Sequence, residues 1–364
     1  MGILKKTLIS STIALVTCAV FLNASTFYVS AVGNNSNPGT SIDAPLKSIQ
    51  KAIDKAGMGD VIKIAEGEYA DKMRSDVINI TRAVTIEGGY SKDFKTRSPF
   101  ALNTIIDGEQ YAPINIELKK DESGKGVIFD GITVDGSLHN EYEGLALGRT
   151  RFASFSVKAI GAGAKVTIRN CLILNGANSG ININGIINGK LIIENNVLVG
   201  CSKSAILITQ PNSKGEFEIK NNTIASTYEG GQTGKGTAIE YGSLTSLTVS
   251  KNIFINNQNG ALNVTKAKHN MVSFTDNGIV SSSKKVFMFY NSGTTKSAMV
   301  DELGDTELLA SQGNSMIKSP FKISSAYTKK TTTIESAKIT LEEAMQFIPQ
   351  KNTDASKGAV ALKN

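Results

Sequence analysis

Few residue types in this sequence could carry out chemistry. Among 364 residues there are two histidines and three cysteines. A zinc site needs three or four such ligands close together, so this composition excludes most zinc sites. A serine nucleophile with a histidine base would depend on His139 or His269, and each lies in a polar segment without a repeated partner. Carboxylates, lysines and arginines are therefore the main candidates.

Three aspartates stand out because a glycine follows each of them: Asp107, Asp130 and Asp135. Converging carboxylates would suit proton transfer or calcium binding. However, Asp-Gly at the end of a strand is typical of a turn, and no two aspartates are adjacent in the sequence. We interpret these residues as turn formers and assign them no metal.

Basic side chains form a second candidate site. Arg149, Arg151 and Lys158 lie close together in the sequence. Guanidinium and ammonium groups bind carboxylates and sulfates, so these residues could hold a uronate or a sulfate group. A solvated surface without a ligand is the alternative for each of them.

Two short patterns repeat along the middle of the chain and must position these side chains. In the first, alternating apolar residues lead into Asn or Gly at positions 131, 171, 196, 222, 252 and 277, with steps of 40, 25, 26, 30 and 25. In the second, a small residue precedes an apolar, a variable and an apolar residue, at 180–183, 205–208, 238–241, 260–264 and 286–289. A shared period of about 25 residues predicts that each repeat is one circuit of a coil.

The repeats favour an all-β fold in which the coil builds parallel sheets around a shared core of Ile, Val and Leu. The turn residues Asn196, Asn222, Asn252 and Asn277 should then stack in a file and exchange amide hydrogen bonds. A β-sandwich is the alternative, but its antiparallel hairpins would not explain the period. The step of 40 contains an insertion, and long insertions on a coil usually form the wall of a groove.

Alternation in the second pattern predicts which side chains point out of the coil. The outward positions are Asn182, Asn184, Leu207, Thr209, Glu240, Asn263 and Met288. The predicted ligand-binding set combines three of them with the basic residues: Arg149, Arg151, Lys158, Asn182, Glu240 and Asn263.

Cys171 lies in the asparagine file, whereas Cys201 follows the next turn by five residues. Five extended residues span about 16 Å, beyond the reach of a disulfide. We predict two free, buried thiols.

The first 24 residues are typical of a secretory signal peptide. Lys5 and Lys6 precede an apolar run from 7 to 22, and Ala24 is the predicted last residue before cleavage. The run is shorter than the roughly 20 residues of a membrane-spanning helix. We therefore expect a secreted, periplasmic or cell-surface protein without a transmembrane segment. A lipid anchor at Cys18 is the less favoured alternative, because Thr17 before it is atypical.

The two ends differ from the repeats. Residues 25–60 should hold a strand and an amphipathic cap helix, with Leu46, Ile49, Ile53 and Ala56 on one face and Asp43 as its cap. Residues 61–290 should form the coil. Residues 291–364 should form a C-terminal cap, with a short helix from Thr340 to Phe347 on the last circuit, and a basic tail. Much of the net charge of +7 lies in that tail, so the body of the chain has little excess charge to attract an anionic partner. Because the chain is predicted to be exported and shows no pattern of aromatic and basic residues, we expect no nucleic-acid partner.

The N-terminal segments resemble those of a known superfamily. They are YVS (28–30), GNNSNPGT (33–40), APLKSIQKAI (44–53), GDVI (59–62), GEY (67–69), GGYSKDF (88–94) and TIIDG (104–108). This opening resembles that of secreted right-handed parallel β-helix proteins of the pectate-lyase-like superfamily. The resemblance implies a right-handed coil, here from about 25 to 290, with a polysaccharide groove over one sheet.

The resemblance also leaves two kinds of function to distinguish, binding of a polysaccharide and catalysis on one. Lyases of this group use clustered carboxylates to hold calcium against a uronate and a Lys or Arg as base, and hydrolases use aspartates with a histidine. Because the sequence shows no such cluster, we expect an exported protein that binds polysaccharide or surface partners without catalysis and without a cofactor. The alternative is a lyase or epimerase of acidic glycans, with calcium, whose site lies near Lys158, Arg149 and Arg151. The oligomeric state stays open.

Overall fold

The computed structural model of the chain describes residues 24–69, 78–107, 114–136, 153–176, 178–229, 234–265, 269–280, 286–291, 294–319 and 339–348. Within these ranges, strands dominate and form three sheets of nine strands each. The predicted leader with Cys18, the insertion with His139, Arg149 and Arg151, and most of the basic tail lie outside the described residues.

Strands are numbered along the chain. Sheet A contains β1 (Thr26–Val29), β2 (Val61–Ala65), β5 (Thr85–Tyr90), β8 (Val127–Asp130), β11 (Lys165–Arg169), β14 (Lys190–Glu194), β17 (Glu216–Lys220), β20 (Ser246–Ser250) and β23 (Val272–Thr275). Sheet B contains β3 (Gly67–Tyr69), β6 (Thr104–Asp107), β9 (Thr133–Asp135), β12 (Leu172–Leu174), β15 (Val197–Val199), β18 (Thr223–Ala225), β21 (Ile253–Ile255), β24 (Gly278–Val280) and β27 (Ser315–Met316). Sheet C contains β4 (Ile78–Ile80), β7 (Ile114–Leu118), β10 (Phe155–Ile160), β13 (Ser179–Ile187), β16 (Ser204–Ile208), β19 (Thr237–Tyr241), β22 (Leu262–Val264), β25 (Phe287–Asn291) and β26 (Thr294–Ala298).

Each strand pairs with the strand one circuit later, which is the defining property of a coil. In sheet A, Ile168 pairs with Ile193, Ile193 with Ile219 and Ile219 with Val249, all parallel and in register. The pairing of β25 with β26 is antiparallel and closes the C-terminal end. The parallel β-helix that the repeat predicts is confirmed.

The core lies inside the coil, where inward side chains of all three sheets meet. Aromatic rings from different sheets pack edge to face, as Phe129 does on Phe155 with ring centroids 5.0 Å apart. Burial of one such side chain contributes about 1.5–3 kcal/mol. Since the same positions recur in every circuit, the core is continuous along the coil.

The asparagine file lies at the turn between sheets A and B. Asn196, Asn222, Asn252 and Asn277 stack in the predicted order, and each backbone N–H donates to the Oδ1 of the next asparagine at 2.9 to 3.0 Å. The file continues to Asn314, beyond the predicted end of the coil at 290. At its other end, the register places Ile132 rather than Gly131 beside Cys171, because Thr133 pairs with Leu172.

Both cysteines of the coil are free and buried, as predicted. Cys171 occupies the asparagine file, where its backbone N–H donates to Asn196 Oδ1 at 3.0 Å. Burial raises the pKa of both thiols to about 12.

The N-terminal helix α1 (Ile49–Lys55) packs its buried side chains on the first circuit. Its N-cap is Ser48, whose side chain accepts from the Lys51 N–H, so the expected cap Asp43 was wrong. The reason is that Leu46 extends beside Val29 in a β-bridge and cannot also be helical.

The C-terminal helix α2 (Leu341–Met345) begins at Thr340 with a capping box to Glu343. It packs against β12 on the outer face of sheet B, not on the last circuit as we expected. The physical reason is that the outward side chains of β12, β15 and β21 are apolar and need cover. We name residues 339–348 the C-terminal strap. No helix in the described ranges is long and apolar enough to cross a membrane.

Candidate functional site

The outer face of sheet C carries the predicted groove positions in a single file. Successive strands place Asn79, Asn115, Ser156, Asn182, Leu207, Glu240, Asn263 and Met288 side by side. The structure therefore brings Asn182, Glu240 and Asn263 onto one surface, separated by whole circuits. Adjacent strands lie about 4.8 Å apart, so the file forms a long, narrow track.

Lys158 protrudes from a β-bulge at one side of this file. The register between β10 and β13 shifts after Val157, and the backbone of Gly185 crosses directly over Lys158. A β-carbon at Gly185 would overlap the Lys158 carbonyl oxygen, so the bulge requires glycine there. Lys158 is exposed and faces Glu117, whose pKa is lowered mainly by its ion pair with Lys119 at 2.8 Å and also by Lys158.

Glu240 holds the outward position in β19, but its side chain is buried. Both carboxylate oxygens accept from Lys235 Nζ, at 2.7 and 2.8 Å. Ser204 Oγ of the preceding circuit lies 3.4 Å from Glu240 Oε2. Glu240 is therefore engaged within the protein, and its role as a ligand contact stays a prediction.

Lys203 is a residue that the sequence analysis missed. It lies in the turn between sheets B and C with a φ of 63°, in the left-handed region that non-glycine residues seldom adopt. Its Nζ donates to Asn178 Oδ1 at 3.0 Å. Burial and the charge of Lys235 lower its pKa. The only feature of the sequence that could have indicated Lys203 is its position directly before a strand of sheet C, in a turn that recurs in other circuits of the coil.

We name Asn178, Lys203, Lys235 and Glu240 the lysine cluster. Lys235 is paired with the Glu240 carboxylate, whereas the Lys203 ammonium donates to the uncharged amide of Asn178, so Lys203 has no anionic partner among the described residues. Buried polar atoms without a hydrogen-bond partner lie on the adjoining strand: Ser179 Oγ, which is in register with Ser204, and Asn182 Oδ1. Such unsatisfied groups beside a charge are typical of a place that a ligand completes.

Two of the three Asp-Gly aspartates, Asp130 and Asp135, make contacts within the protein. Asp130 is almost fully buried and forms ion pairs at 2.7 Å with both Arg97 and Arg169. Asp135 accepts from Asn175 Nδ2 at 3.1 Å. The side chain of Asp107 lies outside the described residues.

The carboxylates on the outer face of sheet C do not fit a calcium site. Calcium takes six to eight oxygen ligands. Glu117 and Glu240 are each paired with a lysine. In the described part of the chain no three potential metal ligands of the types Asp, Glu, His and Cys lie together.

Comparisons with known proteins agree with this architecture. The sequence model of the family described as "Right handed beta helix region" matches residues 125–279. Pectate lyase PEL9 of Emericella nidulans is 34% identical over 107 residues, which are 29% of this chain and 24% of that protein. The chain thus matches about a quarter of the length of this curated relative.

Two solved structures are similar at low identity. A rhamnogalacturonan lyase has a TM-score of 0.42 and 15% identity, covering 76% of this chain and 85% of its own. The pectate lyase Pel9A has a TM-score of 0.42 and 13% identity, covering 90% of each chain.

The coil of parallel sheets and the family match define this chain as a right-handed parallel β-helix protein. Over 107 residues it is also similar to a pectate lyase.

Proposed function

We propose that this chain binds an acidic polysaccharide along the outer face of sheet C, with a carboxylate or sulfate of the glycan at the lysine cluster. The observation that carries the proposal is the charge balance: Glu240 pairs with Lys235, and Lys203, whose pKa is lowered by burial and by the charge of Lys235, has no anionic partner among the described residues. Burial and, as the smaller cause, the charge of Lys235 lower the pKa of Lys203, and an anion beside Lys203 would stabilise its ammonium form against both effects. The relative that acts on pectate, a uronate polymer, supports the same class of ligand.

The row of outward side chains on sheet C, on either side of the lysine cluster, is suited to bind a carbohydrate chain. Asn115, Asn182 and Asn263 present amide groups, which hydrogen-bond to sugar hydroxyls. Leu207 lies between Asn182 and Glu240 in the file and offers an apolar surface for a sugar ring. A polymer lying across successive strands would contact several circuits at once, and such multivalent contact raises affinity.

Catalysis is the second candidate, and one observation favours it. A lysine whose pKa is lowered by burial and a neighbouring cation is suited to take a proton. Lys203 would then remove the proton next to the uronate carboxylate. Lys158 is another basic group on this face, and the sequence analysis placed the alternative lyase or epimerase site near it.

Binding is tested by affinity electrophoresis and calorimetry with polygalacturonate and with an uncharged glucan. We expect Lys203→Met and Lys235→Met each to weaken polygalacturonate binding about tenfold, as expected for loss of a charge-assisted hydrogen bond. Lys165→Met, which alters an exposed lysine at the first position of β11 in sheet A, is the matched control and should bind as the parent does. Glu240→Gln should bind more tightly, because it frees Lys235. Equal binding by all four variants would contradict the proposal.

Catalysis is tested on the same variants and on Lys158→Ala by ultraviolet absorbance of the unsaturated uronate product, with and without calcium. Absence of product from the parent supports binding alone. Product that disappears in Lys203→Met assigns the base to Lys203, whereas loss only in Lys158→Ala assigns it to Lys158.

A further inference from the structure

Asp60 is a nearly buried carboxylate near the start of the coil, in the turn between α1 and β2. Its exposed fraction is 9%. Its Oδ1 accepts from the backbone N–H of Ser25 at 2.7 Å, and its Oδ2 accepts from the backbone N–H of Gly57 at 2.7 Å. Both oxygens are thus held by backbone groups.

Asp60 has no cationic partner among the described residues. A nearby lysine, Lys125, directs its Nζ to the carbonyl oxygen of Gly59 at 3.4 Å and not to the carboxylate. Arg82 likewise donates to the carbonyl of Ala56. A buried carboxylate without a countercharge is costly, so its presence here calls for a source of positive charge.

The nitrogen already bonded to Asp60 would supply that charge if the chain began at Ser25. Ala24 and Ser25 are exposed, so the peptide bond between them is accessible. The carbonyl of Ser25 accepts from the Val61 N–H at 2.9 Å, which holds the Ser25 backbone beside β2. A new terminus at Ser25 would therefore stay in place.

We propose that an endopeptidase that removes export leaders cuts the chain between Ala24 and Ser25, and that the new α-ammonium of Ser25 forms an ion pair with Asp60. In this hydrolysis the C–N bond breaks, the hydroxyl of water joins the Ala24 carbonyl carbon, and the remaining proton goes to the Ser25 nitrogen. An α-amine with a pKa near 8 is then protonated at neutral pH. Processing thereby fastens the first strand of sheet A. The inference is independent of carbohydrate binding.

The first test is the position of the cut. The full chain is exported from a bacterial host and its intact mass is measured. We expect the mass of a chain that begins at Ser25, and a mass corresponding to any other first residue would overturn the proposal.

The second test measures the ion pair in the processed protein. The folded protein is acetylated at neutral pH, and modification of the N-terminal peptide is followed by mass spectrometry. Because only the neutral amine reacts, we expect the Ser25 α-amine to react about tenfold more slowly than in Asp60→Asn, as for a pKa raised by one unit. Asp43→Asn, which alters an exposed carboxylate of the same N-terminal region, should behave as the parent does.

Stability gives an independent readout. Acetylation should lower the Tm of the parent by about 2 °C and leave the Tm of Asp60→Asn unchanged. If Asp60→Asn fails to fold, one alanine inserted before Ser25 serves instead, because it displaces the ammonium and keeps Asp60. Equal α-amine reactivity in the parent and in these variants would refute the ion pair.

Discussion

Single residues at the turns stabilise this coil through repeated hydrogen bonds. Asn222 shows the pattern: its Oδ1 accepts from both Asn196 N–H groups, on the backbone and the side chain, and its Nδ2 donates to Ile193 O and Asn252 Oδ1. The residue before each file member has a positive φ, 54° at Asn221. Asparagine suits both positions, because it tolerates this backbone and carries a donor and an acceptor.

Replacement of a central member of the file should be costly. We expect Asn222→Ala to lower the free energy of unfolding by about 3 kcal/mol, because it leaves buried amide groups of Asn196 and a carbonyl unpaired. Urea denaturation followed by circular dichroism measures the change. Asn188→Ala, at an exposed turn, is the control and should change stability by less than about 0.5 kcal/mol. A similar loss in both variants would contradict the role of the file.

The two buried thiols should be inert while the protein is folded. Burial raises the pKa of Cys171 and Cys201 to about 12, so the reactive thiolate is scarce at neutral pH. We expect no alkylation by iodoacetamide in native buffer and two modified thiols of the coil in denaturant without reductant, measured by intact mass. Rapid labelling of the folded protein, or no labelling of the unfolded protein, would show that this interpretation is wrong. Raising the pH should accelerate labelling of a thiol only if the protein also unfolds around it, because the reagent cannot reach a buried thiol.

At the scale of elements, the three sheets are covered in different ways. Strands of sheet A alternate buried and partly exposed residues, as Lys190–Glu194 does. Four central strands of sheet B, β12, β15, β18 and β21, are three residues long and buried throughout. The C-terminal strap covers the outer face of sheet B, and Asn175 anchors it by accepting from the Ile339 N–H at 2.9 Å and donating to the Ile339 carbonyl at 2.8 Å.

The strap should detach without unfolding of the coil. Phe347 is buried against sheet B, and its replacement by alanine typically removes about 3 kcal/mol of packing. We expect Phe347→Ala to bind more of an apolar fluorescent dye and to be cut sooner by protease near the strap, with little change in the main melting transition. The exposed neighbour Gln346 provides the control Gln346→Ala. A large fall of the main transition would mean that strap and coil unfold together.

At the scale of the whole molecule, the fold is a stack in which each circuit contacts mainly its two neighbours. An inner circuit such as that of Asn222 is hydrogen-bonded on both sides, whereas β27 pairs with β24 on one side only in the described structure. Stability in such a stack depends on nearest-neighbour contacts. The centre should therefore open less often than the C-terminal end.

Hydrogen exchange measures this gradient. We expect backbone amides at Asn196, Asn222 and Asn252 to exchange most slowly and those of 309–317 to exchange at least about tenfold faster, because end circuits fray. Mass spectrometry of peptides after deuterium labelling resolves both regions. Uniform exchange along the coil would indicate one cooperative unit instead.

The sequence by itself determined the coil, the order of the asparagine file and the two free thiols. These properties depend on a repeated period, since identical neighbours recur one circuit away. Apolar residues on both faces of the central strands of sheet B also indicate that another segment covers the outer face of this sheet. They do not indicate which segment it is. Tertiary structure alone placed the strap and the lysine cluster, and it joined Ser25 to Asp60. The strap, Lys235 and the Ser25–Asp60 contact all involve a segment outside the two repeated patterns, so only the folded chain brings these charges and apolar faces together.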